Sequence, residues 1–222
     1  MRCLIRMAQL NKLKVFRDDS GSVCAYCAVH RADVKIGDEA VSVFKAEIAV
    51  SRDERGRALS KNFIAIEFLR HLFLHPFRKT YFLSAYVHPA SYRMAAGTFW
   101  KLYPSWRRPT PPEIEHLMNQ LADALEYARN DERPWTRKVG WIPREDDKHR
   151  AHWQAHPNAD IRYFLERNPN YPRGDGLLSI TPITPTNILG SSAIRNCERL
   201  TRALRIRRGT YEIEPRAPSS SH

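Results

Sequence analysis

The spacing of apolar residues changes from strand-like to helix-like near position 58, and this change constrains the fold most. Residues 12–50 hold three segments rich in β-branched and aromatic residues, separated by turn sequences at DDSGS and at Gly37-Asp38. From Ala58 to about His75 the apolar residues recur at helical spacing, and Pro76 sets the end. The pattern predicts an antiparallel meander followed by an amphipathic helix.

The chain then returns to a strand and a second helix. KTYFLSAYVHP predicts a strand that ends at Pro89, and ASYRMAAGTFWKLY predicts a helix that ends before Pro104. A strand, a helix and a strand in succession normally form a right-handed crossover between parallel strands. We therefore predict an α+β fold, in which a central mixed β-sheet is flanked by helices.

The second half of the chain predicts further elements after the Pro-rich segment SWRRPTPP. They are a helix in PEIEHLMNQLADALEYA, a strand at about 136–142, a short helix with turns in DDKHRAHWQAHPNADIRYFLERNPNYPRGDG, and a last strand in LLSITPITPT. We divide the chain into a core at 1–106, a C-terminal extension at 107–209 that completes the fold, and a flexible tail at 210–222.

The charge of the chain favours anionic partners. The 222 residues include 36 Lys and Arg against 24 Asp and Glu, a formal net charge of +12. Nucleic acid, coenzyme A phosphates, an acidic carrier protein and anionic lipid all fit this charge. No apolar run approaches the roughly 20 residues that cross a bilayer, and MRCLIRMAQL lacks the apolar core of a secretory signal. We expect a cytoplasmic protein without a membrane span.

The cysteines predict no metal site. Cys24, Cys27 and His30 have the spacing of a zinc half-site, but Cys3 and Cys197 have no matching pair or nearby His. SVCAYCAVH also reads as a strand, in which positions three apart point to opposite faces. We expect reduced core thiols and no bound metal.

The segment AEIAVSRDERGRALSKNF predicts an anion-binding turn. A strand leads through a basic loop with Gly56 into a helix, and the start of a helix stabilises phosphate through its unpaired N–H groups. In the alternative, Ser51 and Glu54 form a capping box that starts an ordinary helix near Arg52. That helix would contain Gly56 at a cost of about 1 kcal/mol.

This turn resembles the donor-binding motif of the GCN5-related N-acetyltransferase superfamily. The matching residues are Arg55, Gly56, Arg57, Ala58, Leu59 and Ser60, with Ala58 where glycine is commonest. YVHPASYRMAAGTFWKLY is similar to the next strand and helix of the family, with His88 in place of Asn before Pro89 and Ala90. The resemblance covers about residues 12–106. The family's usual first strand and the two helices that follow it have almost no room before Leu13.

The resemblance implies an acyl-CoA or acyl-phosphopantetheine donor, the latter on an acyl carrier protein, and an amine-bearing small molecule or peptide as acceptor. It implies direct attack by the amine, phosphates held at residues 55–60, and an oxyanion held by a backbone N–H near Val50 where the donor strand splays. The extension at 107–209 would shape the acceptor pocket. Within the superfamily, a tunnel for a longer acyl chain would place this chain in the branch that resembles long-chain N-acyl amino acid synthases.

The catalytic candidates follow from the same resemblance. Glu47 is the expected base, and the alternative is a surface carboxylate paired with Lys45 or an arginine. The family's tyrosine acid aligns with Ala95, so Tyr92 and His88 are substitutes. Six aromatic residues form either core or an acyl tunnel, with core favoured: Phe63, Phe68, Phe73, Phe77, Phe82 and Tyr86.

Two other functions stay open. One is a catalytically silent donor-binding domain, which the Ala95 mismatch motivates. The other is a nucleic-acid-binding module, motivated by RPTPP, TRKVGW and LTRALRIRRG, although these basic residues are scattered and match no recognition motif, so nucleic acid is not the expected partner. We read His149, His152, His156 and Asp160 as a solvated segment and Arg173-Gly174-Asp175-Gly176 as a turn, the alternative being an acceptor site.

Overall fold

The computed structural model describes residues 12–51, 61–130 and 133–188. The strands are β1 (Lys12–Arg17), β2 (Val23–Ile36), β3 (Glu39–Val50), β4 (Thr80–Tyr86), β5 (Thr136–Lys138) and β6 (Asp175–Pro182). The helices are α1 (Lys61–Leu74), α2 (Pro89–Ala96), α3 (Pro112–Ala124), α4 (Asp147–Gln154) and α5 (Ala159–Arg167).

The strands form one six-stranded sheet in the order β1-β2-β3-β4-β6-β5. β3 and β4 are parallel, whereas the other four neighbouring pairs are antiparallel. The parallel pair is joined through α1, as the strand-helix-strand order predicts. The predicted α+β fold with a mixed sheet and flanking helices is confirmed.

The parallel pair separates along its length. β3 and β4 pair only from Ser42 to Phe44 and from Thr80 to Phe82. Beyond these residues β3 continues along β2 as far as Val50, and β4 continues along β6 as far as Tyr86. The sheet therefore opens into a gap between residues 45–50 of β3 and residues 83–86 of β4.

Helices cover both faces of the sheet. On one face, α3 packs Met118 and Leu121 against Val43 and Leu83. On the other face, α1 packs Phe68 against the sheet. Helices α2 and α5 pack on this face through a second cluster. Residues two apart in a strand share a face, so each strand supplies side chains to both layers. The second cluster contains Tyr86, Tyr92, Phe164, Tyr171 and Leu177.

Several element bounds differ from their predictions. The helix predicted up to position 103 ends at Ala96, because the chain turns at Gly97 and then pairs Tyr103 with Ile180 of β6. The strand predicted at 136–142 stops at Lys138. The tract predicted to hold one short helix contains both α4 and α5. The predicted start of the first helix at Ala58 lies outside the described residues.

The CxxC cysteines occupy buried strand positions. Cys27 packs beside Val29 and Phe44, and burial raises the pKa of its thiol to about 11. Cys24 is buried as well. In the part of the chain that the structure describes, no group of three or more His, Cys, Asp or Glu side chains is arranged to hold a metal ion.

A buried histidine links α1 to the sheet. His71 is 4% exposed, and its ring meets Phe44 edge to face with centroids 5.2 Å apart. Its Nδ1 lies 3.3 Å from a guanidinium nitrogen of Arg31, so Nδ1 is the acceptor. Burial, reinforced by the charges of Arg31 and His75 and only partly offset by Asp33, lowers the pKa of His71. The folded protein therefore resists protonation of this ring.

We expect His71 to make stability depend on pH below its unfolded pKa of about 6.5. The unfolded chain binds the proton that the folded chain refuses, so stability falls from that pH down to the lowered folded pKa. The free energy of unfolding falls by about 1.4 kcal/mol for each pH unit by which folding lowers the pKa of His71. His71→Phe should remove this slope in urea unfolding, whereas His116→Phe, at an exposed position of α3, should keep it. Equal slopes in both variants would contradict the assignment.

Candidate functional site

The backbone of β3 presents alternate amides to the gap. The Ser42 N–H donates to the Lys79 carbonyl at 2.9 Å, which turns even-numbered residues towards β4. The Ser51 N–H donates to the Cys24 carbonyl at 2.8 Å, which turns odd-numbered residues towards β2. The N–H and C=O groups that point to the gap are those of Ala46, Ile48 and Val50.

This edge can bind an extended ligand as a further strand would bind. The backbone N–H and C=O groups alternate at a spacing that matches amide groups in an extended chain. β2 holds the opposite edge of β3 by pairing as far as Val50, and β6 holds the opposite edge of β4 as far as Tyr86. Both walls of the gap are therefore positioned before any ligand arrives, which limits the entropy cost of binding.

Glu47 lies on the same stretch of β3, on the face that carries α3. Its register partner is Ala28, and its side chain is half-buried. On this face Val43 packs under α3, and the Lys45 ammonium stands 4.3 Å from the centre of the Tyr127 ring. Glu47 is the next residue of β3 on this face. The carboxylate thus flanks the gap, one strand position from an amide that points into it.

His88 lies two residues beyond β4, where that strand leaves the gap. Its Nδ1 accepts the Ala90 N–H at 3.1 Å and caps α2. Its Nε2 therefore carries the proton and donates to a Glu145 carboxylate oxygen. The Tyr171 hydroxyl donates to the other oxygen of Glu145 at 3.0 Å. Both ring nitrogens of His88 are engaged, so the ring is well suited to hold the end of β4 in place.

The partners of His88 could not be found from the sequence. Glu145 follows His88 by 57 positions, and Tyr171 follows Glu145 by 26. Neither residue lies in a motif, and they meet His88 only in the folded chain. The Trp153 ring adds an edge-to-face contact with His88 at 5.2 Å.

Tyr92 lies inside the second core cluster. Its side chain is 0% exposed, and its hydroxyl donates to the Pro104 carbonyl at 2.9 Å. Burial raises the pKa of this phenol. Ala95, the position that aligns with the family's tyrosine, is buried one helical turn further on. The hydroxyl of Tyr92 therefore has a structural partner, and its role as an acid stays a prediction.

The predicted phosphate-binding residues lie outside the described part of the chain. They are Arg55, Gly56, Arg57, Ala58, Leu59 and Ser60. The description of the chain stops before them at Ser51, one residue past the end of β3, and resumes at Lys61, where α1 begins.

The six aromatic residues divide between core and surface. Phe68, Phe82 and Tyr86 are buried, as a core position requires, and Phe63 packs partly buried against the cluster that contains Phe68 and Phe82. Phe73 and Phe77 are 87% and 99% exposed, so the expectation of core positions is wrong for them. Phe73 lies in the last turn of α1, and Phe77 lies in the loop after it.

The two candidate ligand clusters of the second half have structural roles. The Asp160 carboxylate is buried and accepts from the Trp106 indole at 2.8 Å and from Arg107 at 2.9 Å. His152 and His156 contact each other and Trp153 through their rings. Gly174, with a φ of 90°, makes the predicted turn before β6.

Within the described ranges, none of the helices is both long enough and apolar enough to span a membrane.

Comparison with known proteins gives a partial likeness of fold. No protein-family model matches the chain, and no curated protein matches it. A crystal structure provisionally described as a phosphinothricin N-acetyltransferase shares 16% identity, covering 46% of this chain and 67% of that chain, with a TM-score of 0.31. A crystal structure of a bacterial toxin shares 17% identity, covering 59% of this chain and 80% of that chain, with a TM-score of 0.32. Likeness at this level assigns no activity.

Proposed function

We propose that the chain is an N-acyltransferase that binds a pantetheine thioester in the gap between β3 and β4. The observation that carries the proposal is the separation of these strands after Phe44 and Phe82, with the amides of β3 directed into the gap. Pantetheine is an extended chain with two amide groups, and such a chain can pair with this edge as a strand would. The splayed donor strand is what the family resemblance implies.

The proposed chemistry requires an amine, a base and a donor of hydrogen bonds to an oxyanion. The amine nitrogen attacks the thioester carbonyl, and the N–H of Val50 stabilises the oxygen as negative charge develops there. Glu47, on the neighbouring face, accepts the amine proton directly or through a water molecule. The C–S bond then breaks, and the departing thiolate takes a proton from the protonated Glu47 or from water.

The acyl donor is either coenzyme A or the phosphopantetheine of a carrier protein. Both present a phosphate next to pantetheine, and the loop of Arg55, Gly56 and Arg57 is suited to hold it at the start of α1. The net charge of +12 fits both donors as well. The acceptor amine would approach on the α3 face beside Glu47, where residues of the extension at 107–209 supply Tyr127.

A donor-binding domain without turnover is the second candidate. One observation favours it: His88 has both ring nitrogens engaged, and the Tyr92 hydroxyl is buried against Pro104. Neither residue directs a proton-transfer atom into the gap. Turnover with any amine would exclude this candidate, whereas tight donor binding without turnover would support it.

Titration calorimetry with acyl-CoA tests the proposed donor site. The unaltered chain should bind, and Gly56→Glu should weaken binding at least about a hundredfold, because a carboxylate would face the phosphates. Ala40→Glu, which adds the same charge at the distant end of β3, should bind normally. Absence of binding by the unaltered chain to both acyl-CoA and acyl carrier protein would reject the proposal. Equal affinity of the two variants would move the phosphate site elsewhere.

A further inference from the structure

Residues 100–108, which we name the Trp–Arg segment, expose aromatic and basic side chains on either side of the buried residues 102–105. Trp100 and Trp106 are 46% and 51% exposed. The Arg108 guanidinium lies 4.9 Å from the centre of the Trp100 ring, and the Arg107 guanidinium lies 5.2 Å from the centre of the Trp106 ring. Two partly exposed indoles, each with a cation against its ring, therefore occur within one short stretch of chain.

Buried polar groups fix the backbone of this segment. Asn187 is 1% exposed; it accepts the Lys101 N–H at 2.6 Å, and its amide donates to the Lys101 carbonyl at 3.0 Å. Tyr103 exchanges two backbone hydrogen bonds with Ile180 of β6. The buried Tyr92 hydroxyl holds the Pro104 carbonyl. The segment is thus anchored at three successive points to the sheet and to its flanking layer.

The tip of the segment is held just as firmly. Ser105 and Arg108 pair across a tight turn, and the Ser105 hydroxyl accepts the Arg107 N–H at 3.2 Å. The buried Asp160 carboxylate binds both the Trp106 indole and the Arg107 guanidinium. Because Asp160 holds the Trp106 ring in place before binding, much of the entropy cost of ordering that ring is removed.

The charge on the segment is partly uncompensated. Arg107 is neutralised by its ion pair with Asp160. Among the residues that the structure describes, Arg108 has no carboxylate within ion-pair distance, and Lys101 is exposed without one. One indole with an adjacent unpaired guanidinium offers a stacking face beside a positive charge. Such a pairing fits a ligand that alternates flat aromatic rings with phosphates.

We propose that the Trp–Arg segment binds single-stranded nucleic acid. Exposed bases would stack on Trp100 and Trp106, and Arg108 and Lys101 would contact the phosphates between them. A duplex fits less well, because its bases are already stacked and paired. In the sequence, Trp100 lies outside RPTPP, the segment that begins with Arg108. Only the fold brings the Arg108 cation against the Trp100 ring.

This surface is separate from the proposed donor site. Tyr103 pairs with β6 on the side away from β4, so both β4 and β6 stand between the segment and the gap. At a strand spacing of about 4.8 Å, the two sites are roughly 10 Å or more apart across the sheet. Binding of nucleic acid therefore does not require the acyltransferase proposal to hold.

Fluorescence anisotropy with a labelled oligouridine tests the proposal on the full chain. We expect binding that weakens steeply with salt. Trp100→Ala should weaken it about tenfold, Arg108→Gln should weaken it and reduce the salt dependence, and Trp100→Phe should restore most of the affinity. Phe77→Ala, which removes a more exposed ring from the loop after α1, is the control and should bind normally. Thermal unfolding of each variant checks that the fold is retained.

Several outcomes would overturn the proposal. If the unaltered chain does not bind, or if Trp100→Ala and Phe77→Ala bind alike, the segment is not a nucleic-acid site. If an abasic oligonucleotide or heparin binds as tightly as oligouridine, the chain attracts polyanions by charge alone and the stacking role is wrong. Tighter binding of a duplex than of a single strand would also contradict it.

Discussion

Replacing Val50 by proline should lower kcat about 100- to 1,000-fold, the usual cost of losing one hydrogen-bond donor to an oxyanion. The substitution removes the N–H that points into the gap. The N–H groups that bond β2 belong to the odd-numbered residues, such as Ser51, so proline at position 50 removes no bond of the β2–β3 ladder. The extended backbone of β3 also suits the residue before a proline.

Val50→Ala is the matched control, because it trims the side chain and keeps the amide. It should retain most of the activity. Ala49→Pro is the structural counterpart, since its lost N–H faces Tyr26 of β2, and it should lower the melting temperature. Steady-state kinetics with a saturating amine and thermal unfolding of all three variants separate the effects. Similar kcat values for Val50→Pro and Val50→Ala would show that this amide does not stabilise the transition state.

Replacing Glu47 by glutamine should lower kcat by about 100-fold or more, while the affinity for the acyl donor is retained. General bases contribute about 100- to 10,000-fold, and glutamine keeps the shape of the side chain without its basicity. The loss should shrink when the acceptor amine has a low pKa, because such an amine is already neutral. Two measurements test this prediction: turnover with amines of different pKa, and donor binding by calorimetry.

Glu39→Gln supplies the control for Glu47. It changes the same residue type on the same strand at the opposite end, where Glu39 pairs with Lys79 and is exposed to solvent. Its kcat should match that of the unaltered chain. A Glu47→Gln variant with full kcat would mean that another group takes the proton, or that the amine enters the site already deprotonated.

The order of elements was predictable because each residue pattern reports its own local structure. The β-branched and aromatic residues of positions 12–50, the helical spacing from Ala58 and the prolines at 76 and 89 act through short-range sterics and burial. The parallel relation of β3 and β4 followed from the crossover rule. These signals need no knowledge of distant residues.

The groups around the site were less predictable because they depend on contacts between distant positions. Glu145 lies 57 positions after His88, and the two meet only in the folded chain. Tyr92 is a candidate acid, yet its side chain is buried and its hydroxyl meets the Pro104 carbonyl. The exposure of Phe73 and Phe77 depends on which distant residues pack against the end of α1, and the apolar spacing of the helix does not report those contacts.

The short parallel ladder divides the sheet into two antiparallel blocks, β1-β2-β3 and β4-β6-β5, that share only three residue pairs. Each block is continuously bonded within itself, so the angle between the blocks depends on the side chains that pack across the seam, under α3 on one face and under α1 on the other. The angle at Phe44 and Phe82 then sets how wide the opening is several residues away. Side chains at this seam, rather than those beside the reacting atoms, would govern which acyl groups have room to enter.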